Sequence, residues 1–134
     1  MADLTVTTAS AVTFTEPDLV CLPSNVAIAR GQLVIPGSGG KWILADADTV
    51  AAAGRPCVAL HDCIANYPLT AQREGLCDVG EALAALAFGD IVYLSSATAG
   101  AMADAAGTVS VPIGTVHPGW GSTTPDKLLK LEAM

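Results

Sequence analysis

Glycine and proline punctuate this chain so often that no long helix can form in it. After Pro17 the longest interval without either residue runs only from position 41 to position 53. Proline removes a backbone donor and fixes φ, and glycine carries a large backbone entropy into any helix interior. Between these breaks lie short segments rich in Val, Ile, Leu and Thr, at 4–14, 25–29, 32–35, 42–45, 57–64, 76–79, 90–94, 108–115 and 127–132. Apolar and β-branched runs bounded by turn residues predict strands. A succession of them predicts an all-β fold, a small sandwich or barrel. Helix is expected only as two short turns, 48–53 and 81–88, each closed by the glycine that follows.

The strands are not independent of one another. Gly31, Gln32, Leu33, Val34 and Ile35 align without gaps on Gly89, Asp90, Ile91, Val92 and Tyr93, and further along Ser38 meets Ser96 and Ala45, Asp46, Ala47 meet Ala103, Asp104, Ala105. Each copy reads as a glycine that turns the chain, an apolar strand, a small-residue loop and a return segment, which is a hairpin. A proline then leads a second apolar strand, Pro56 in one copy and Pro112 in the other. The repeat predicts a duplicated scaffold and carries no chemistry.

The first sixteen residues contain no Gly or Pro, and Thr5, Thr7, Thr8, Thr13 and Thr15 interleave with Leu4, Val6, Val12 and Phe14. Residues 1–20 are therefore expected to be an extended N-terminal arm or an edge strand, with 21–134 as a single β-rich domain.

Lys and Arg total 6 against 13 Asp and Glu, a formal charge of −7. That sign disfavours nucleic acid and anionic membranes as partners. Charged residues make up 14% of the chain against about 25% in ordinary domains. Of the hydrophobic residues, 24 are alanine and only 6 are aromatic. With little charge to cover its outside, the domain is expected to present uncharged surface that meets other proteins, making a homo-oligomer the default. No basic start followed by an apolar centre marks an export signal, so an intracellular setting is expected.

Several residue sets carry side chains capable of chemistry. Residues 37–41, Gly-Ser-Gly-Gly-Lys, miss the phosphate-loop pattern at Ile35 and Trp42 and read as a hairpin loop. Asp46 and Asp48 lack the further calcium ligands at Val50 and Ala51 and read as a turn and helix cap. Cys57, His61, Cys63 and Cys77 offer zinc's preferred donors, but Cys57 and Cys63 lie six apart on one expected strand, away from the close pairing of structural zinc sites. With Cys21, these thiols are expected to be reduced and mostly buried. His117 lies near Pro118, Gly119, Trp120 and Gly121, a surface turn in which Trp120 is a candidate interface anchor. No catalytic, metal or cofactor site is expected. The open alternatives are a small intracellular metal- or ligand-binding β-barrel and, behind it, a zinc or thiol enzyme at the Cys/His set.

The segment 81–134 carries an Ala/Leu-rich turn, then Gly89-Asp90-Ile91-Val92-Tyr93-Leu94-Ser95, Ala97-Thr98-Ala99-Gly100, Val111-Pro112-Ile113-Gly114-Thr115-Val116, and a closing strand around Leu128 to Leu131. This pattern resembles the capsid decoration, or cement, proteins of tailed bacteriophages. The upstream Gly31-Gln32-Leu33-Val34 and Ala45-Asp46-Ala47 elements look like its first half, so the resemblance spans roughly residues 25–134. It implies a β-rich structural virion protein that sits on the capsid exterior, assembled in the host cytoplasm, and clamps neighbouring major capsid protein subunits. It also implies self-association, a homotrimer ahead of a homodimer, and no catalytic residue or cofactor. Under it the expected capsid or oligomer contacts are Leu4, Val6, Val12, Phe14 and Trp120. Four cysteines and the segment 61–75, with Asn66-Tyr67-Pro68 and Arg73-Glu74, depart from the pattern.

Overall fold

The apolar segments between the turn residues pair as antiparallel strands. The computed structural model describes residues 3–4, 11–13, 18–48, 55–118 and 127–132. Its strands are β1 (Asp3–Leu4), β2 (Ala11–Thr13), β3 (Asp18–Pro23), β4 (Leu33–Pro36), β5 (Trp42–Leu44), β6 (Cys57–Ala59), β7 (Pro68–Val79), β8 (Ile91–Leu94), β9 (Met102–Ala103), β10 (Pro112–Pro118) and β11 (Lys127–Leu131). The only helix among the described residues is a 3-10 turn, Gly80–Leu83. The strands form one curled antiparallel sheet, a half-barrel, in the order β1-β9-β8-β10-β11-β7-β6-β4-β5, with β2 and β3 also on β7. The fold is all-β, as the punctuation by Gly and Pro predicts.

β7 is the spine. Its first half carries β6 on one edge and β3 on the other, since Ala71 and Gln72 pair with both. Its second half carries β11 and β2, which meet at Cys77. Between the halves, Asp18 pairs with Glu74 but Leu19 with Gln72, so Arg73 is a bulge residue, and Gly75 follows at φ 98. A bulge bends its strand and leaves ladder groups unpaired. The fully buried Gln72 braces the bend, its Nε2 donating to Glu74 O at 2.9 Å and Leu76 O at 3.0 Å.

The bend divides the sheet into two modules of like order, β3-β7-β6-β4-β5 and β7-β11-β10-β8-β9. Their equivalence extends to individual bonds. Gly31 and Gly89 have φ of 88 and 87. Ala29 N–H donates to Gln32 Oε1 at 2.9 Å, and Ala87 N–H donates to Asp90 Oδ2 at 2.8 Å. Gly31 N–H meets Ala59 O at 2.8 Å, as Gly89 N–H meets Val116 O at 2.8 Å, and the return bonds run from Ala59 N–H to Gln32 O and from Val116 N–H to Asp90 O, both at 2.9 Å. Register then follows, with Leu33 opposite Val58 and Ile91 opposite Thr115. The glycine-led strand of the repeat is a three-dimensional duplication, while the return strands are shifted: Trp42 of β5 corresponds to Met102 of β9, so Ala45-Asp46-Ala47 does not fall on Ala103-Asp104-Ala105.

Two apolar clusters fill the sheet. The smaller gathers Ile28, Val34, Trp42, Cys57, Ala59, Cys63, Leu69 and Ala71 inside the first module. The module closes where Ser24, just past β3, bridges Trp42 of β5, and the Trp42 indole N–H donates to Leu69 O at 2.8 Å. The larger cluster joins residues of both modules, Leu33, Ile35 and Val58 with Val79, Val92, Leu94, Met102, Val116 and Leu129 among others.

Several strand limits differ from those expected. β3 starts within the 1–20 segment expected as an extended arm or edge strand and runs past its limit to Pro23, and 25–29 forms only the single bridge Ile28–Cys63. The segment 57–64 ends as strand at Ala59, and β7 begins at Pro68, eight residues before expected. The turn 81–88 is 3-10 only at its start. The expected turn 48–53 lies, beyond Asp48, outside the described residues. Of the first twenty residues, 3–4, 11–13 and 18–20 are paired as strands, β1 on β9 and β2 and β3 on β7.

Candidate functional site

The residues set aside for metal or thiol chemistry are dispersed by the fold. Cys57 and Cys63 point into the smaller cluster and Cys77 into the larger. His61 is exposed, and its Nε2 accepts from Thr70 N–H at 3.1 Å. Burial pushes the Cys57 thiol up to about 11, against the opposing pull of Arg73 and Arg55, and burial with the nearby Asp78 pushes Cys77 up to about 12. Such thiols are protonated at neutral pH and poor nucleophiles. Cys21 is the exposed thiol, against the expectation of burial. Among the described residues no group of three His, Cys, Asp or Glu side chains is placed to hold a metal ion.

The other sequence candidates have structural roles. Asp46 Oδ1 accepts from Asp48 N–H at 3.1 Å, the expected turn. Residues 37–41 form the β4–β5 hairpin loop. His117 lies within β10, opposite Leu128, and not in a turn. Leu4 is half-buried on β1 and packs against the larger cluster. Val12 is on β2, opposite Asp78. Val6, Phe14 and Trp120 lie outside the described residues.

What the structure brings together is apolar surface. Residues 24–28 and 63–67 run antiparallel as a ribbon over the end of the first module. Ile28 and Cys63 exchange both backbone bonds at 2.8 Å, Ser24 N–H donates to Tyr67 O at 2.9 Å, and Asn66 N–H donates to Ser24 O at 2.6 Å. Asn66 takes the left-handed turn conformation at φ 69, which asparagine tolerates better than most residues. Lys41 Nζ ties the ribbon to the β4–β5 loop through Asn66 Oδ1 at 2.9 Å. On this fixed backbone Ile64 is 61% exposed, Tyr67 60% and Val26 39%. A second exposed pair, Phe88 and Ile91, lies on the other module. Of the six large hydrophobic side chains exposed among the described residues, three lie on this ribbon and two at the start of β8 or just before it.

Ile64 and Tyr67 fall in the segment 61–75, the departure from the decoration-protein pattern and a place open to a specific contact. The expected strand 57–64 hid Ile64 as one more strand residue. The available signal was the turn chemistry of Asn66-Tyr67-Pro68 beside two large apolar side chains.

Comparison of the chain with protein-family models, with curated proteins and with solved structures gives no match.

Proposed function

We propose that this protein is a structural component of a tailed-phage virion that binds the capsid exterior and strengthens contacts between neighbouring major capsid protein subunits. The observation that carries this reading is the ribbon with Val26, Ile64 and Tyr67. It is an apolar, tyrosine-bearing surface held by paired backbone on a sheet with filled cores, on a chain with 14% charged residues. Such a surface suits a preformed protein interface, where tyrosine contributes large area at small entropic cost. The sequence resemblance supplies the partner, the major capsid protein. In this reading the N-terminal segment with Leu4, Val6, Val12 and Phe14 adds contacts of its own, and Trp120 adds another. Each contact is modest, and repetition over a symmetric shell converts modest contacts into a strong clamp.

Quantitative mass spectrometry of purified virions tests the reading. The expected result is a fixed ratio of this protein to the major capsid protein, with loss from the particle of the pair Ile64→Ser with Tyr67→Ser, both at exposed positions. That variant should remain folded by circular dichroism, whereas a deletion of residues 1–15 also removes β1 and β2 from the sheet. Absence from virions of a protein abundant in infected cells would reject the reading, and full occupancy by the ribbon variant would reject the assigned surface.

A further inference from the structure

β3 is paired along one side only. Asp18–Pro23 runs antiparallel to β7, and among the described residues no strand lies along its other side. The neighbour that comes nearest is β5, which meets the chain just past the end of β3 at the single bridge Ser24–Trp42, where Asn25 N–H donates to Trp42 O at 2.9 Å. The open stretch therefore ends where β5 begins.

The bonds of β7 fix which groups that stretch presents. Thr70 directs its backbone to the far side of β7, its O accepting from Leu60 N–H at 3.1 Å and its N–H donating to His61 Nε2 at 3.1 Å. Successive pairs of an antiparallel ladder alternate between bonded and unbonded positions. Cys21, opposite Thr70, is thus turned away from β7, and so is Leu19 two residues earlier. Pro23, opposite Pro68, fits the same phase, since neither residue has an N–H to exchange. The N–H and C=O groups of Leu19 and Cys21 consequently point out of the sheet edge.

Sheet edges are ordinarily guarded by charge or proline, because an open row of backbone groups is a template for another strand. Here Asp18 is held by Arg73, whose Nε donates to its carboxylate at 2.8 Å, and from it to Pro23 the residues are Leu-Val-Cys-Leu, with no charge and no proline. Leu19 is 46% exposed and Cys21 is exposed, so the side chains beside the open groups are apolar too.

We infer that the open side of β3 takes an extended segment of the protein this chain binds, added to the sheet as one more strand. Recognition is through backbone, with apolar side chains of the segment alternating beside Leu19 and Cys21. The slot runs from Leu19 to Leu22, bounded by the Asp18–Arg73 pair at one end and by β5 at the other. β3 continues through Ser24 into the ribbon, so one partner meets both, by its main chain along β3 and by its surface at Val26, Ile64 and Tyr67. The inference rests on the functional reading for the identity of that partner and adds the manner of attachment.

Amide hydrogen exchange of the full chain, free and bound to purified virions, is the experiment. The Leu19 and Cys21 amides are expected to exchange about tenfold or more slowly on the particle. Cys21→Pro removes an outward N–H and leaves the ladder to β7 whole, a place where an edge strand accepts proline. Leu19→Lys puts a charge on the edge, and decides alone should Cys21→Pro unfold. Both variants are expected to keep the circular dichroism of the wild type and to be lost from the particle. A chain present on virions with these amides exchanging as in the free protein would overturn the inference and leave the functional reading standing, whereas absence of the wild type from virions would remove both. Full occupancy by a folded variant would also overturn it. So would a free chain that dimerises and becomes monomeric with Cys21→Pro, which gives the edge to a second copy.

Discussion

Gly114 shows how a single missing side chain sets what the sheet can do. A Cβ there would lie 2.1 Å from Lys130 O and 2.9 Å from its carbonyl carbon, on the strand that β10 pairs with. Backbone cannot swing aside as the tip of a side chain can, so Gly114→Ala must push β10 and β11 apart. The expected cost is about 2–3 kcal/mol in urea unfolding. Gly39→Ala is the control, because its Cβ would enter open space and alanine restrains the unfolded chain. That change is expected to be neutral or to stabilise by a few tenths of a kcal/mol, up to about 1. Both glycines look alike in the sequence. Only the position of Lys130, sixteen residues away along the chain, separates a required glycine from a dispensable one.

At the scale of elements, β7 is the strand the sequence concealed. Its twelve residues contain Pro68, Gly75 and the charged pair Arg73-Glu74, a composition that reads as loop. The strand forms because tertiary pairing supplies partners to its halves in turn, with Pro68 at its first position where a missing donor costs least. Its bulge depends on Gln72. Replacing it by methionine keeps the volume and removes both donors to Glu74 O and Leu76 O. Gln72→Met is expected to destabilise by about 1–3 kcal/mol, read as a lower thermal midpoint. An unchanged midpoint would mean that these carbonyls find other donors. β4 and β8, by contrast, are legible, because each is a run of four residues with apolar side chains behind a repeated glycine turn that carries a local bond, Ala29 N–H to Gln32 Oε1 in one and Ala87 N–H to Asp90 Oδ2 in the other.

At the scale of the whole molecule, the two clusters carry one buried thiol each that titrates far above its ordinary value, Cys57 in the smaller and Cys77 in the larger. Burial favours the neutral form, so the folded chain holds these protons from pH 9, where the unfolded thiols ionise, up to about 11 and about 12. Stability from the two groups is therefore complete below pH 9 and is lost as pH rises through that window, on the order of 1 kcal/mol per thiol for each pH unit. Urea midpoints measured from pH 8 to above pH 10 should fall accordingly, and a variant with Cys57→Ala and Cys77→Ala should fall less steeply from its own lower start. By itself the sequence determined the all-β class, the low surface charge and the duplicated turn-and-strand unit, because all three follow from composition and from bonds between near neighbours. Tertiary structure alone decided that β7 serves both modules, that Cys77 lies in a different core from Cys57 and Cys63, and that the β4 face is covered while its β8 counterpart is left open. These depend on which strands meet after the chain bends at Arg73, and long-range pairing leaves no periodic mark on the residues it brings together.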